Sequence, residues 1–570
     1  MTHTTPSPLV PLPASVHLGD PIALGETLRI EAAPGLDAVL DTFATLARRT
    51  RGVEVQPVAV GIDARIRVEL GLDPESTGIA PAAGFDPRPV PADERFTIDT
   101  HEGLVLLRAA SPEGAFRGLV TILQALDTSG PGLVLPAFTI VDGPAFAWRG
   151  LSFDTVRHLY PTAEIEAVID LLAYHRISVL HLHLSDTQGW RLESTAYPRV
   201  ASVSAAGERE HWTREEFRAL ITFAAARFIT IIPELDLPGH TAAAIAAYPE
   251  LDTPGTFDHP QVKFLSPENP GAVTFATTVL SELAEISPGP YLHIGGDEAF
   301  GMPDEQYADF VRLLHAHVRS LGKRVIGWQE AARAEVFEPS DVLQFWIAEK
   351  DAFDADAMRA SVPEEYLPLV ELAAKTFAHA PGDIGLATAR ETPILVSSSS
   401  PLYLDRRHAE GRVDADGTPL AVAAGEPGFP HYAAEPTSGL NDWDPAAHAR
   451  TALNDARVVG VEAAIWAETI ESIDDLAFLL LPRLPLVAER MWRAEPRAWA
   501  DTAARLRAQT PVWDALGFGG YYRSAEVFGA EPVRVAGTDD SRRDAPDDAR
   551  RLGTDTDTAT RGTGTAEARA

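Results

Sequence analysis

Cysteine is absent from all 570 residues of the chain. Its absence excludes disulfides, thiolate metal sites and cysteine nucleophiles. No apolar stretch is long enough to span a bilayer. Residues 1–13 are polar and proline-rich, with no basic segment ahead of an apolar run. No secretory signal is read there, and a cytoplasmic location is expected. Positive charge is scarce: 48 Lys and Arg face 82 Asp and Glu, for a net charge of −34. That balance argues against a nucleic-acid backbone or an anionic membrane as partner. It names no partner, because acidic surface commonly serves solubility.

The length suffices for two or three domains. After an N-terminal extension, 1–13, the block 14–142 alternates short strands and helices. Strands are predicted at 27–33, 64–70, 95–100 and 104–110. Ser111-Pro112 then opens a helix with a good N-cap and proline at its first position. No catalytic constellation is visible in this block, and Val141-Asp-Gly-Pro144 reads as a linker.

From Phe146 to Glu495 the pattern becomes strand–helix repeats. Strands are predicted at 150–154, 178–184, 229–235, 292–294, 325–328, 342–346, 394–397 and 459–466. Several are near-continuous apolar runs, as parallel strands covered on both faces should be. Eight such units predict an α/β fold, a (β/α)8 TIM barrel over 146–495, preceded by a smaller mixed-sheet α/β domain. An insertion at about 347–392 is long enough to carry helices. Residues 496–534 read as a helical segment packing on the barrel. Beyond them, 535–570 lacks aromatics and reads as a disordered tail.

The densest chemistry lies in Tyr291-Leu-His-Ile-Gly-Gly-Asp297-Glu298. Neighbouring side chains of a strand point to opposite faces. Asp297 and Glu298 converge only if the strand ends, and two glycines supply that break. Adjacent acids can be driven into different protonation states. A barrel enzyme works at the C-terminal ends of its strands. Those ends carry Asp154, Arg157 and His158 (first), His181, His183 and Asp186 (second), Glu234, Asp236 and His240 (third), Trp328 (fifth), Trp346 (sixth), Tyr403 and Asp405 (after the seventh), and Trp466 and Glu468 (eighth). Flat aromatic rings stack on sugar C–H faces, and Arg, Asp and Glu bind vicinal hydroxyls. The set as a whole suits a sugar pocket.

Trp-Arg-Gly-Leu, His-Leu-Ser-Asp-x-Gln-Gly-Trp, Pro-Gly-His, His-Ile-Gly-Gly-Asp-Glu, Tyr-Leu-Asp and Glu-Ala-x-x-Trp-x-Glu occur in this order. In them the chain resembles the β-N-acetylhexosaminidases of glycoside hydrolase family 20, over roughly residues 90–495. The resemblance implies roles. Glu298 would be the general acid, and Asp297 would orient and stabilise the substrate's 2-acetamido group. Tyr403 would hydrogen-bond the acetamido carbonyl. Trp328 and Trp346 would wall its pocket, with Trp466 beneath the ring. Arg149, Asp405 and Glu468 would bind the free hydroxyls of a terminal sugar, and Asp186 and His240 would sit behind Glu298. The implied substrate is an amino-sugar glycoside, cleaved exo with retention through an oxazolinium ion, without cofactor or metal. Thr187 departs from the family pattern, which commonly has a second Asp there, and the insertion before Tyr403 is unusually long.

Two other readings fit part of the pattern. His181-x-His183, His240, His293 and Asp297 could bind a metal for hydrolysis on the same barrel. Alternatively, the pocket belongs to a non-catalytic sugar-binding protein. The sequence leaves the gluco or galacto preference, the aglycone and the oligomeric state open.

Overall fold

The computed structural model describes residues 8–529 apart from 89, 205, 254–258, 260–261, 424, 453–456, 494 and 496. The tail read at 535–570 lies outside the described residues.

The N-terminal body is a mixed seven-stranded sheet. Its spatial order is Ser15–Gly25, Leu133–Asp142, Phe96–His101, Leu104–Ala109, Ile66–Leu70, Leu28–Ala32 and Val55–Pro57. The helix Pro112–Ala125 packs against it, with the Ser111 hydroxyl accepting from the Gly114 N–H as N-cap. From Glu113 to Ala125 every residue of this helix is buried, because its other side faces the barrel.

Three strands of this sheet were not expected. Ser15–Gly25 is an edge strand that exposes most of its side chains and contains Gly, Asp and Pro, so it lacks the period-two signal. Val55–Pro57 is short and exposed. Val141 and Asp142, read as linker, instead end the strand Leu133–Asp142. The N-terminal extension is also corrected in part: Leu9 and Val10 are buried, and the Gln124 amide bonds both backbone groups of Val10.

Eight parallel strands close the barrel: Trp148–Asp154, Val179–His183, Thr230–Glu234, Tyr291–His293, Arg324–Trp328, Val342–Phe345, Ile394–Val396 and Val458–Ile465. The last pairs with the first, Gly460 beside Trp148. An added Cβ on Gly460 would lie 2.2 Å from the Trp148 carbonyl, so closure needs glycine there. Trp148, Val179, Ile232, Tyr291, Ile326, Val342, Leu395 and Val459 form an apolar plug among the early residues of the strands. Beyond the plug the interior turns polar, with His181, His183, Glu234, His293, Gln344 and Glu462 all buried.

Between the sixth and seventh strands the insertion forms helices Ala355–Ser361, Leu367–Phe377 and Ala380–Ala389. Asp383 on the last of these accepts both a bidentate pair from Arg333 and a 3.4 Å bond from Gln329. Gln329 in turn accepts from the Trp346 and Ile347 N–H groups. The insertion is thus tied to the loops after strands five and six. After the barrel come the helices Trp499–Arg507 and Thr510–Ala515. Among the described residues no helix is long and apolar enough to cross a membrane.

Candidate active site

The fourth strand stops at His293, and the chain then turns through Gly295 (φ +70°) and Gly296 (φ +111°). A Cβ on Gly295 would fall 1.7 Å from Asp236 Oδ1, so only glycine admits that carboxyl. The Gly296 N–H donates to the same oxygen at 3.1 Å, and its carbonyl accepts from the Tyr307 hydroxyl. Glu298 then adopts φ +47°. Left-handed backbone at a non-glycine residue is a strain held by its surroundings and typical of functional sites. It lets Asp297 and Glu298 both turn toward His240, with 15% and 29% of their side chains exposed.

Behind them runs a chain of charged hydrogen bonds. Glu234 Oε2 lies 2.6 Å from His183 Nδ1, and His183 Nε2 lies 2.8 Å from Asp186 Oδ2. Asp186 Oδ1 is 3.1 Å from His240 Nδ1, and His240 Nε2 is 3.5 Å from Glu298 and 3.8 Å from Asp297. Burial opposes charging of His240, but Asp186, Asp297 and Glu298 raise its pKa to about 9. His240 is therefore an imidazolium at neutral pH. Glu298 is raised above the ordinary glutamate value, chiefly by burial and against the pull of His240. Asp297 is pushed up further, by burial and then by Asp236, to which it is hydrogen-bonded. Two buried carboxyls in contact do not ionise together, and one proton is held between them.

Four aromatic rings cluster in the site, and Tyr403 is close enough to Asp297 to feel its charge. Trp346 and Tyr403 are parallel, with centroids 6.3 Å apart, and the Trp328 and Tyr403 rings each lie 5.9 Å from Trp466. Each of the first two indoles is fixed by a buried acid. Trp328 Nε1 donates to Glu234 at 2.8 Å and Trp346 Nε1 donates to Glu330 at 3.0 Å. Burial raises Glu330 to about 7 and holds the Tyr403 hydroxyl well above its usual range, leaving that hydroxyl a donor. Across the cavity Asp405 is raised to about 7 by burial and by Glu468. Asp405 Oδ2 is buried without a hydrogen-bond partner.

One assignment is corrected. Arg149 does not reach the cavity. It lies near the start of the first strand, at the opposite end of the barrel, and is fully buried. Its guanidinium binds Glu94 at 2.7 and 3.0 Å and three backbone carbonyls, and lies 5.0 Å from the Trp492 ring centre. Every nitrogen of the guanidinium is engaged there, away from the cavity. The cation of the site is Arg157, three residues beyond the same strand. It bonds Asp154, Asp186 and Gln188, approaches Glu468 at 3.8 Å and lies 5.7 Å from the Trp466 ring. Strand polarity alone could have told the two apart, since chemistry sits past the C-terminal ends. Asp236 and Glu330 were likewise given no role. Asp236 had a visible signal, because it follows the third strand at the active end.

The metal reading needs five residues at one point, and the structure divides them. His181, Glu234 and His293 form one cluster and Asp236, His240 and Asp297 another, while His183 groups with Glu234 and Asp236. Both nitrogens of His181 and of His183 are within 3.1 Å of carboxylates. These imidazoles act as counter-charges for buried acids.

A parallel barrel with two adjacent acids, clustered aromatic rings and further buried carboxyls at its active end is the build of a glycoside hydrolase. The model of the glycosyl hydrolase family 20 catalytic domain matches residues 146–362 and 374–495, and that of the family's domain 2 matches 6–143. A β-N-acetylhexosaminidase of Cellulomonas fimi is 33% identical over 86% of this chain and 90% of its own. The GH20 β-N-acetylhexosaminidase of Streptomyces coelicolor is 30% identical, covers 92% of this chain and 99% of its own, and superposes with a TM-score of 0.72. A variant β-hexosaminidase of Streptomyces plicatus in complex with its product, N-acetylglucosamine, gives the same identity and TM-score, with 92% and 98% covered. The chain belongs to glycosyl hydrolase family 20. It is a β-N-acetylhexosaminidase, which ends the non-catalytic reading.

Proposed function

We propose that this enzyme removes terminal, non-reducing β-linked N-acetylglucosamine or N-acetylgalactosamine, with retention, using the substrate's own acetamido oxygen as nucleophile. The observation that carries the reading is the cluster of Trp328, Trp466, Tyr403 and Trp346, in which Tyr403 lies within reach of the charge on Asp297. A pocket of that shape holds the 2-acetamido group under the anomeric carbon, which is proximity catalysis. Tyr403 donates to the carbonyl oxygen. Asp236 keeps the shared proton, so Asp297 accepts from the amide N–H as an anion. Glu298, kept protonated by burial, gives its proton to the glycosidic oxygen as the C1–O bond breaks. The acetamido oxygen closes on C1 and forms an oxazolinium ion, whose positive charge Asp297 stabilises. Glu298, now a carboxylate, deprotonates a water that attacks C1 and reopens the ring. Two inversions restore the β configuration. Carboxyl separation does not predict stereochemistry for this mechanism.

Arg157, Asp405 and Glu468 bind the free hydroxyls of the terminal sugar, Arg157 taking the part expected of Arg149. A chitin oligosaccharide therefore loses one residue at a time from its non-reducing end. Progressive fluorination of the N-acetyl methyl is the decisive test. It should slow turnover steeply, because it withdraws electrons from the attacking oxygen. Rates indifferent to fluorine, or a trapped glycosyl-Asp297 adduct, would sink the mechanism.

A further inference from the structure

The two indoles that wall the acetamido pocket are not held alike. Trp328 is the last residue of the fifth strand, is fully buried, and points its Nε1 at Glu234 inside the barrel. Trp346 stands one residue past the sixth strand, Val342–Phe345, and is only partly buried. The sheet therefore fixes the first ring and cannot fix the second. The place of Trp346 depends on what packs outside the strand ends.

What packs there comes from the insertion between the sixth and seventh strands. Phe377, the last residue of the helix Leu367–Phe377, sets its ring 6.0 Å from Trp346 at 73°. Asp383, on the helix Ala380–Ala389, reaches the indole through two intermediaries. It accepts from Gln329 Nε2 at 3.4 Å, and Gln329 Oε1 accepts from the Trp346 and Ile347 N–H groups at 3.2 and 2.9 Å. It also takes two nitrogens of Arg333, each at 2.8 Å. Arg333 feels a second acid, Glu330, whose Oε2 accepts from Trp346 Nε1 at 3.0 Å. Glu330 Oε1 is buried and has no hydrogen-bond partner. It is a ready acceptor for a cation set free nearby, and Asp383 is what keeps Arg333 from it.

We propose that Asp383 is a positioning residue for Trp346: by holding Gln329 and engaging Arg333 it leaves Glu330 to the indole, and so sets which N-acyl groups the enzyme accepts. A ring tied at Nε1, at its own N–H and against Phe377 does not yield to a longer acyl chain. Neutralising Asp383 loosens it. Bonds between a guanidinium and a carboxylate are about twice as strong as neutral ones, so Arg333 turns to Glu330, the acid left to it. The indole then competes for its acceptor, and the wall it forms can move outward. Asp383 touches no substrate atom and acts only through this brace. The inference rests on Trp346 being a wall of the acetamido pocket.

The test is the ratio of kcat/KM for 4-nitrophenyl N-acetyl-β-glucosaminide to that for its N-propionyl analogue, which adds one methylene to the acyl group. Asp383→Asn keeps the shape of the side chain and should lower the ratio by roughly tenfold, the low end of what a methylene decides in a fitted pocket. Phe377→Leu, which acts through packing alone, should lower it as well, and serves if the first variant folds poorly. General damage scales both substrates alike and leaves the ratio unmoved. An unchanged ratio in the folded variants overturns the proposal, as does a wild-type enzyme that turns over both substrates equally. Trp346→Ala separates the brace from the reading beneath it. If that change lowers the ratio while Asp383→Asn does not, the brace alone falls. If it too leaves the ratio unchanged, Trp346 is no acyl wall and the pocket reading falls with it.

Discussion

Glu94 at the foot of the barrel and the acids that ring its active cavity answer burial in opposite ways. At the N-terminal end Glu94 is shared by Arg149 and Arg117, and Asp142 is held by Arg176 and by Trp492 Nε1. Burial opposes ionisation of Glu94, but its guanidinium neighbours drive its pKa down to about 2. At the C-terminal end the acids outnumber the cations. Asp297, Glu298, Glu330, Asp405 and Glu468 are all raised by burial. Saturated pairs fix a structure and can exchange nothing. Acids left short of counter-charge can give up protons or accept hydroxyls and a developing cation. The difference marks which end holds and which end reacts.

The strongest way to break the comparison is Glu298→Gln. On substrates with poor leaving groups kcat should fall by roughly 10²–10⁴, the usual worth of general acid catalysis. Nitrophenyl glycosides, which need little protonation, should suffer less. Chemical denaturation should show no loss of stability, since the amide relieves a crowded acid. Equal losses on both leaving groups would remove Glu298 from the acid role.

Glu94→Gln should do the reverse. It leaves Arg149 without a carboxylate partner and Arg117 with Glu113 alone, a loss of about 3–5 kcal/mol in unfolding free energy. The fraction that folds should retain its kcat. The pH sign follows from the depressed pKa of Glu94. Its contribution is fully present above the unfolded value of about 4.3 and is lost as pH falls from there toward 2. A folded, stable variant with impaired turnover would mean that the lower end also takes part in chemistry.

The two arginines give a smaller but sharper contrast. Arg157→Ala removes charged hydrogen bonds to substrate and should lower kcat/KM of the folded enzyme by roughly 10- to 100-fold, and it should also lower the melting temperature, because Asp154 and Asp186 lose their buried partner. Arg149→Ala should lower the melting temperature and spare the kinetics of folded enzyme. Interchanged phenotypes would restore the original assignment of Arg149. The mildest effect is expected for His240→Gln. Glu298 must be protonated, so rate falls as pH rises through its pKa. Removing the neighbouring imidazolium raises that pKa, and the basic limb should move to higher pH.

Much of this was legible because burial on both faces writes long apolar runs. The eighth strand was predicted at 459–466 and runs Val458–Ile465; the fourth was predicted at 292–294 and runs Tyr291–His293. The edge strand Ser15–Gly25 escaped because exposed positions carry no period. Asp297 and Glu298 were visible through their glycines. Arg149 was misplaced because a motif was read without its direction: it precedes the predicted start of its strand at residue 150, on the side away from the chemistry. Asp383 could not be foreseen, since it meets Gln329 and Arg333 only in the fold, 54 and 50 positions away in sequence.

The ring of ion pairs at the foot of the barrel bears on how this protein can be divided. The two family models meet between residues 143 and 146, a boundary that invites cutting the chain into modules. Charge does not respect that boundary. Glu94 and Asp142 lie before it, while Arg149 and Arg176 lie after it and are buried against them. A barrel released from its neighbour would keep two guanidinium groups at its base with their counter-ions gone. The smaller domain is an electrostatic floor to the catalytic one.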